Sequence, residues 1–168
     1  PVKCEEIKVD IVAVSHGHAD HLGDAIEIAK KNDAVIVAIH EIAQYAINKG
    51  AKAEGINIGG GVKIKNTEIY LTPAFHSSGL DETNFEITTC PAGLIIKSGK
   101  VVYHAGDTCL FSDMKLIGEL YKPDVALLPI GGRFTMDAKQ AAMAANLIKA
   151  KINIPCLLYT SPSPRDRG

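Results

Sequence analysis

The chain has no tryptophan, and aromatic residues make up only 5% of its 168 positions. It also lacks a surplus of either charge, since 18 Lys and Arg stand against 19 Asp and Glu for a formal net charge of −1. A protein that grips a phosphate backbone needs a basic stripe or aromatic faces on which bases stack. Neither is visible, so no nucleic-acid partner is expected. Paired cysteines are missing too. Cys4, Cys90, Cys109 and Cys156 are scattered with no CxxC among them, which argues against a zinc finger and a disulfide framework and fits a reducing cytoplasm. Apolar runs such as residues 35–39 and 126–128 fall far short of the ~20 residues that span a bilayer, and no signal peptide opens the chain, so no membrane is expected. There is no initiator Met. The chain opens at Pro1 and runs almost at once into a strand-like segment, and an upstream part of the natural protein is expected to be missing.

What is present is ordinary globular composition, 46% hydrophobic and 22% charged, at a length that suits one domain with a real core. Strand and helix signals alternate along it. Residues 10–15 (DIVAVS) form a β-branched run that stops at a histidine cluster, as a buried strand ending in a loop would. Leu22, Ala25, Ile26 and Ala29 recur at helical spacing before a strand at 34–39, and a second helix over 41–49 ends at Gly50, a good carboxyl-terminal cap. From residue 56 to 75 the period is that of strands, and Gly59, Gly60 and Gly61 are expected to join 56–58 to 62–65 as a hairpin. Residues 77–91 are polar and irregular, a candidate active-site loop whose acidic stretch at 81–86 is expected to be solvated. Further on, 93–97 and 100–104 flank Ser98-Gly99 as a hairpin, 111–121 reads as a helix, 124–129 as a buried strand, and 137–149 as an alanine-rich helix with Ala141, Ala144, Ala145 and Ile148 on one face. The end, 161–168, has no periodicity and reads as disordered.

The stretch SHGHADHLGD, residues 15–24, places three histidines and two aspartates in ten positions. Chance is a poor explanation for HxHxDH in a chain with six histidines in all. In a looped segment His16 and His18 point the same way, and Asp20 and His21 come round as a helix begins, so one tight turn faces two adjacent metal ions. Imidazole and carboxylate suit zinc, and equally iron or manganese.

This motif resembles the signature of the metallo-β-lactamase superfamily. Further matches follow in the order that family uses: His76 in TPAFHSS and Asp107 in YHAGDT, so that the likeness covers residues 16–108. The segments at 113–132 and 134–136 are similar to a bacterial and archaeal branch of metal-dependent hydrolases related to ascorbate-6-phosphate lactonase. The resemblance implies a four-layer αββα sandwich. It implies that His16, His18 and His76 hold one ion, that Asp20 and His21 hold a second, and that Asp107 bridges them, with zinc the expected metal, two per intact protein. It further implies a metal-bound hydroxide that cleaves an ester, lactone or phosphoester bond of a small metabolite, with Asp20 orienting the nucleophile or shuttling a proton. The alternatives are a metal-binding domain without catalysis, and a hydrolase of β-lactams or thioesters.

Other residues have plainer readings. His104 is expected to support a ligand or to be a satisfied histidine, His40 to be a partly exposed residue at a helix start, and Cys109 to be a small buried thiol. Arg133, Phe134 and Thr135 follow a strand end and are candidates for contact with an anionic substrate. Two departures from the family stand out. Its opening strands have no counterpart here, and its final histidine after the last strand is missing from the corresponding stretch, residues 154–160 (IPCLLYT), with no histidine after His104. Residues 156–166 (CLLYTSPSPRD) resemble translated sequencing adapter. The expected division is therefore a hydrolase domain over 1–155, incomplete at both ends, and a non-native tail over 156–168, with an unpaired sheet edge that favours aggregation.

Overall fold

The short β-branched runs pair into two sheets, each covered on its outer face by helices. The structure is a computed structural model, and it describes residues 3–157. The proposed tail lies outside them from residue 158 onward. The first sheet holds β1 (Ile11–Ala13), β2 (Val35–Ile39) and β3 (Lys52–Ile56), all parallel in that order. Parallel neighbours need a crossover. It is supplied by α1 (Ala19–Leu22) with α2 (Ala25–Asn32), and then by α3 (His40–Asn48).

The second sheet runs in the order β4 (Gly61–Ile64), β5 (Thr67–Pro73), β6 (Ala92–Ser98), β7 (Lys100–His104), β8 (Val125–Pro129) and β9 (Ile152–Cys156). Its first four strands are antiparallel, and β8 and β9 join in parallel through α4 (Met114–Tyr121) and α5 (Ala138–Ile148).

One buried cluster runs from Ala29, Ile42 and Ala46 on α2 and α3, through Ile36 and Ala38, to Leu71 and Leu94 on the inner face of the second sheet. A second packs Ile95, Tyr103 and Ala126 against Met114 and Ile117 of α4 and Ala141, Ala144 and Ile148 of α5. Leu71 and Leu94 serve the first cluster while their neighbours Tyr70 and Ile95 serve the second, the two-residue alternation of a sheet packed on both sides. The layers are thus helix, sheet, sheet, helix, the αββα arrangement expected. Burying each large aliphatic side chain contributes about 1.5–3 kcal/mol, so both faces of the sandwich draw on the hydrophobic effect.

α5 begins at a capping box, in which Asp137 accepts from Gln140 N at 2.8 Å and Gln140 Oε1 accepts from Asp137 N at 3.1 Å. α4 and α5 cross closely at Gly118, where a Cβ would lie 2.3 Å from the Ile148 carbonyl oxygen. Gly50 ends the α3 region with φ +84, as expected, and its N–H donates to Ile47 O at 2.9 Å.

Four expectations need correction. Gly59, Gly60 and Gly61 do not turn a hairpin: β3 belongs to the first sheet and β4 to the second, and the glycines carry the chain between them. The hairpin partner of β4 is β5. The helix read from Leu22 onward is two helices, broken where Gly23 adopts φ +38. β1, expected to be buried, is only half-buried along its length, because it pairs with β2 alone among the described residues. The acidic loop is not merely solvated, since Asp81 Oδ2 accepts from Ala19 N at 2.6 Å and Glu82 accepts from Tyr45 OH at 2.5 Å. Asp81 reaches across because His18, at the amino-terminal cap of α1, offers no side-chain bond of its own.

Candidate metal centre

The histidines meet where strand ends from both sheets converge. β1 delivers Ser15 and His16 into a turn, His18 caps α1, and Asp20 and His21 lie in its single turn. His76 follows β5, and Asp107 follows β7. Two glycines make the approach tight enough. At Gly17 a Cβ would meet Leu80 Cδ1 at 2.7 Å, and Gly106, at φ +64, lies so close to Ala92 that a Cβ would fall 2.7 Å from its carbonyl oxygen. Gly17 N also donates to Ser78 Oγ at 3.1 Å, which ties the histidine turn to the 77–91 loop.

The rings pack against one another. Centroids are 4.7 Å apart for His16 and His18, 4.1 Å for His16 and His21, and 5.2 Å from His76 to both His16 and His18. His16 Nε2 lies 3.0 Å from His18 Nδ1. Asp107 divides its oxygens, with Oδ1 at 3.2 Å from His21 Nε2 and Oδ2 at 3.6 Å from His76 Nε2. Asp20 Oδ2 is 3.7 Å from His21 Nε2 and more than half exposed.

Burial, helped by the neighbouring His21 imidazole, pushes the His16 imidazole down to about 3. Burial also lowers His76. The ring at His16 is therefore neutral at physiological pH, and a neutral imidazole keeps a lone pair for an ion. Burial alone would raise the Asp107 carboxyl, but the His21 imidazole beside it, with His16 and His76, outweighs that and holds it below the usual carboxylate range.

Two sets of donor atoms lie within 4.8 Å of one another: His16, His18 and His76, and His16, His21 and Asp107. His21 Nε2 and Asp107 Oδ1 are buried yet lack a well-directed hydrogen-bond partner. Buried polar atoms are normally satisfied, so a nitrogen and an oxygen left facing each other in a histidine cluster fit a cation between them. A cavity of about 420 Å³ opens over this cluster, lined by His18, Asp20, His76 and Asp107 on one side and by Gly131, Phe134 and Thr135 on the other.

Of the substrate candidates, Phe134 and Thr135 line the cavity and Arg133 does not. The Thr135 hydroxyl accepts from Gly131 N at 3.1 Å and so braces its own turn, while the Arg133 guanidinium lies 5.1 Å over the Phe134 ring. The turn is pinned beside Asp107, because Met136 N donates to Thr108 O at 3.2 Å. His104 Nδ1 accepts from Gly106 N at 3.0 Å, and burial lowers its pKa. It thereby braces the loop that presents Asp107. His40 is exposed at the start of α3. Cys109 is exposed rather than buried, because the chain, buried from Ala105 to Thr108, comes out to the surface at this residue, its N–H donating to Phe75 O.

Sequence reasoning missed one residue. Ser15, the final residue of the strand-like run, touches Nδ1 of both His16 and His21 at 3.1 Å. Phe134, a candidate alongside Arg133 and Thr135, forms part of the cavity wall and is 68% exposed.

With this geometry in view, the family is decided by residues 1–156, which match the profile of the beta-lactamase superfamily domain. The chain belongs to the metallo-β-lactamase superfamily. Within the superfamily it is 50% identical over 157 residues to a UPF0173 metal-dependent hydrolase of Methanosarcina mazei, an overlap of 92% of this chain and 68% of that protein. It is 51% identical over 170 residues to another from Caldivirga maquilingensis, covering 98% of this chain and 71% of the relative. Igni18, a metallo hydrolase from the archaeon Ignicoccus hospitalis, superposes with a TM-score of 0.83 at 45% identity, over 94% of this chain and 67% of that one. Relatives named metal-dependent hydrolases imply a divalent metal, and the donor set described above suits one. No helix among the described residues is long and apolar enough to cross a membrane.

Proposed function

We propose that this superfamily member hydrolyses an ester, lactone or phosphoester bond of a small metabolite in the cavity above the histidine cluster, with zinc as its metal and two ions per intact protein. The observation that carries the reading is the pair of donor sets sharing His16, beneath an open cavity. His16, His18 and His76 would hold one ion, and His21 and Asp20 the other. Asp107 suits the bridging position because its two oxygens face different imidazoles. Bound there, the metal would lower the pKa of a water and polarise the carbonyl or phosphoryl oxygen of the substrate.

The chain's own groups supply the rest. Asp20, more than half exposed and part of the cavity lining, is placed to accept and pass on a proton. Phe134 and Thr135 offer the opposite wall for the substrate body, and Arg133, whose guanidinium lies over the Phe134 ring, suits an anionic tail. All four cysteines are free thiols, in keeping with a reducing cytoplasm.

The test is metal content by elemental analysis together with turnover of a generic lactone and a generic phosphodiester, with zinc added to the stripped protein and with Asp107→Ala as control. The expected result is zinc-restored turnover that Asp107→Ala abolishes. Metal binding with no turnover of either substrate would replace catalysis by metal binding alone, and absence of bound metal would overturn the whole reading.

A further inference from the structure

Ser15 is 4% exposed, and its hydroxyl oxygen sits between two imidazoles, 3.1 Å from Nδ1 of His16 and 3.1 Å from Nδ1 of His21. His16 is in both candidate donor sets, and His21 is in only one. We propose that Ser15 is a positioning residue that couples the two metal subsites, its hydroxyl oxygen accepting from the Nδ1–H of both rings at once. This rests on the reading of His16 and His21 as metal ligands.

A neutral imidazole carries one N–H, and a hydroxyl oxygen has two lone pairs. When both Nδ1 atoms hold the proton and point at Ser15, both Nε2 atoms are left with a free lone pair facing inward. The positions agree with that arrangement. His16 Nε2 faces His18 Nδ1 at 3.0 Å, and His21 Nε2 faces Asp107 Oδ1 at 3.2 Å with no hydrogen bond of its own. One oxygen thus fixes the tautomer and the ring angle of a ligand in each subsite, the task that outer partners of metal-binding histidines perform elsewhere one ring at a time.

Ser15 is itself clamped. Its carbonyl accepts from Ala92 N at 2.9 Å, and Gly106 packs so closely that a Cβ there would approach Ser15 Cβ to 3.1 Å. The serine is therefore held by the first residue of β6 and by the loop just past β7, rather than by the histidine turn alone.

The experiment titrates stripped full-length protein with cobalt(II) alone, following the visible absorption bands, in the wild type, Ser15→Ala and His76→Ala. Removal of one outer partner of a ligand typically weakens affinity about ten- to a hundredfold. Ser15→Ala is expected to weaken both cobalt-binding steps and to shift both sets of bands, whereas His76→Ala weakens chiefly one. Unchanged affinity and spectra in Ser15→Ala, beside a wild type that binds cobalt, would overturn the coupling and leave the metal reading intact. A wild type that binds no cobalt would instead overturn the metal reading. Proton–nitrogen NMR of the wild type gives an independent check, for which two slowly exchanging imidazole Nδ1–H signals are expected in the zinc-loaded protein, and fewer than two would refute the double acceptance.

Discussion

Gly106→Ala tests whether the loop presenting Asp107 is held by backbone conformation alone or also by contact. Gly106 has φ +64, and a Cβ there would lie 2.7 Å from Ala92 O and 3.1 Å from Ser15 Cβ. The left-handed conformation costs an L-residue about 1–2 kcal/mol, partly offset by about 0.4–1 kcal/mol from the reduced freedom of the unfolded chain. The contacts add about 1–3 kcal/mol of overpacking, since the nearest atom is backbone and cannot swing aside. Gly99 provides an internal control, because it has φ +72 but nothing within 4 Å of its would-be Cβ. Gly99→Ala should therefore show the conformational cost alone, and Gly106→Ala should exceed it by about 1–3 kcal/mol. At this chain length that difference corresponds to a Tm roughly 2–12 °C lower. Urea denaturation followed by circular dichroism measures both variants, and metal titration should show affinity lost in Gly106→Ala and kept in Gly99→Ala. Equal destabilisation of the two would refute the claim that packing against Ala92 and Ser15 fixes the loop.

Gly118→Ala would ordinarily add about 1 kcal/mol of helix stability, but here a Cβ would lie 2.3 Å from Ile148 O and 2.8 Å from Ile148 C, so a loss of about 1–3 kcal/mol is expected; a more stable variant in thermal melts would contradict the close crossing of α4 and α5. The Asp124 carboxylate accepts from Lys151 Nζ at 2.7 Å and from Val101 N at 3.0 Å, which hold it below the usual carboxylate range. A folded-state pKa lowered in this way adds stability above the unfolded value of about 4 and loses it as pH falls through the folded value. The stability gap between wild type and Asp124→Asn should accordingly be constant near neutrality and shrink on acidification below about pH 4, and a gap that widens there in pH-dependent denaturation would reverse the assignment.

The ligand-type residues were legible because their order and spacing are local, as with the motif at 16–21, or sit just past strand runs that an alternating pattern marks, as with His76 and Asp107. What pairs with what was not legible. Residues 56–58 and 62–65 look like two arms of a hairpin around three glycines, and nothing in a period of two says that Ile56 ends a strand of the parallel sheet while Ile58 already bridges Leu71 of the other sheet. β3 was missed for a related reason: its sequence KAEGI is polar and mostly exposed, and it is a strand because β2 offers it a ladder. Ser15 reads as the tail of a strand until the fold brings His21 back beside His16. Its role depends on distances in space that no spacing in sequence encodes.

The cluster also joins two separately paired halves of the molecule. His16, His18 and His21 follow a strand of the three-stranded sheet, while His76 and Asp107 follow strands of the six-stranded one. An occupant held by all of them acts as a rivet through one end of the sandwich. A ligand bound only by the folded state at a hundred times its dissociation constant adds about 2.7 kcal/mol to stability, and here that gain would bear on the seam between the sheets rather than on either sheet alone. Hydrogen exchange should then slow most in amides flanking the seam, at Val14 and Ala92, and least in the distant turn at Ser98 and Gly99.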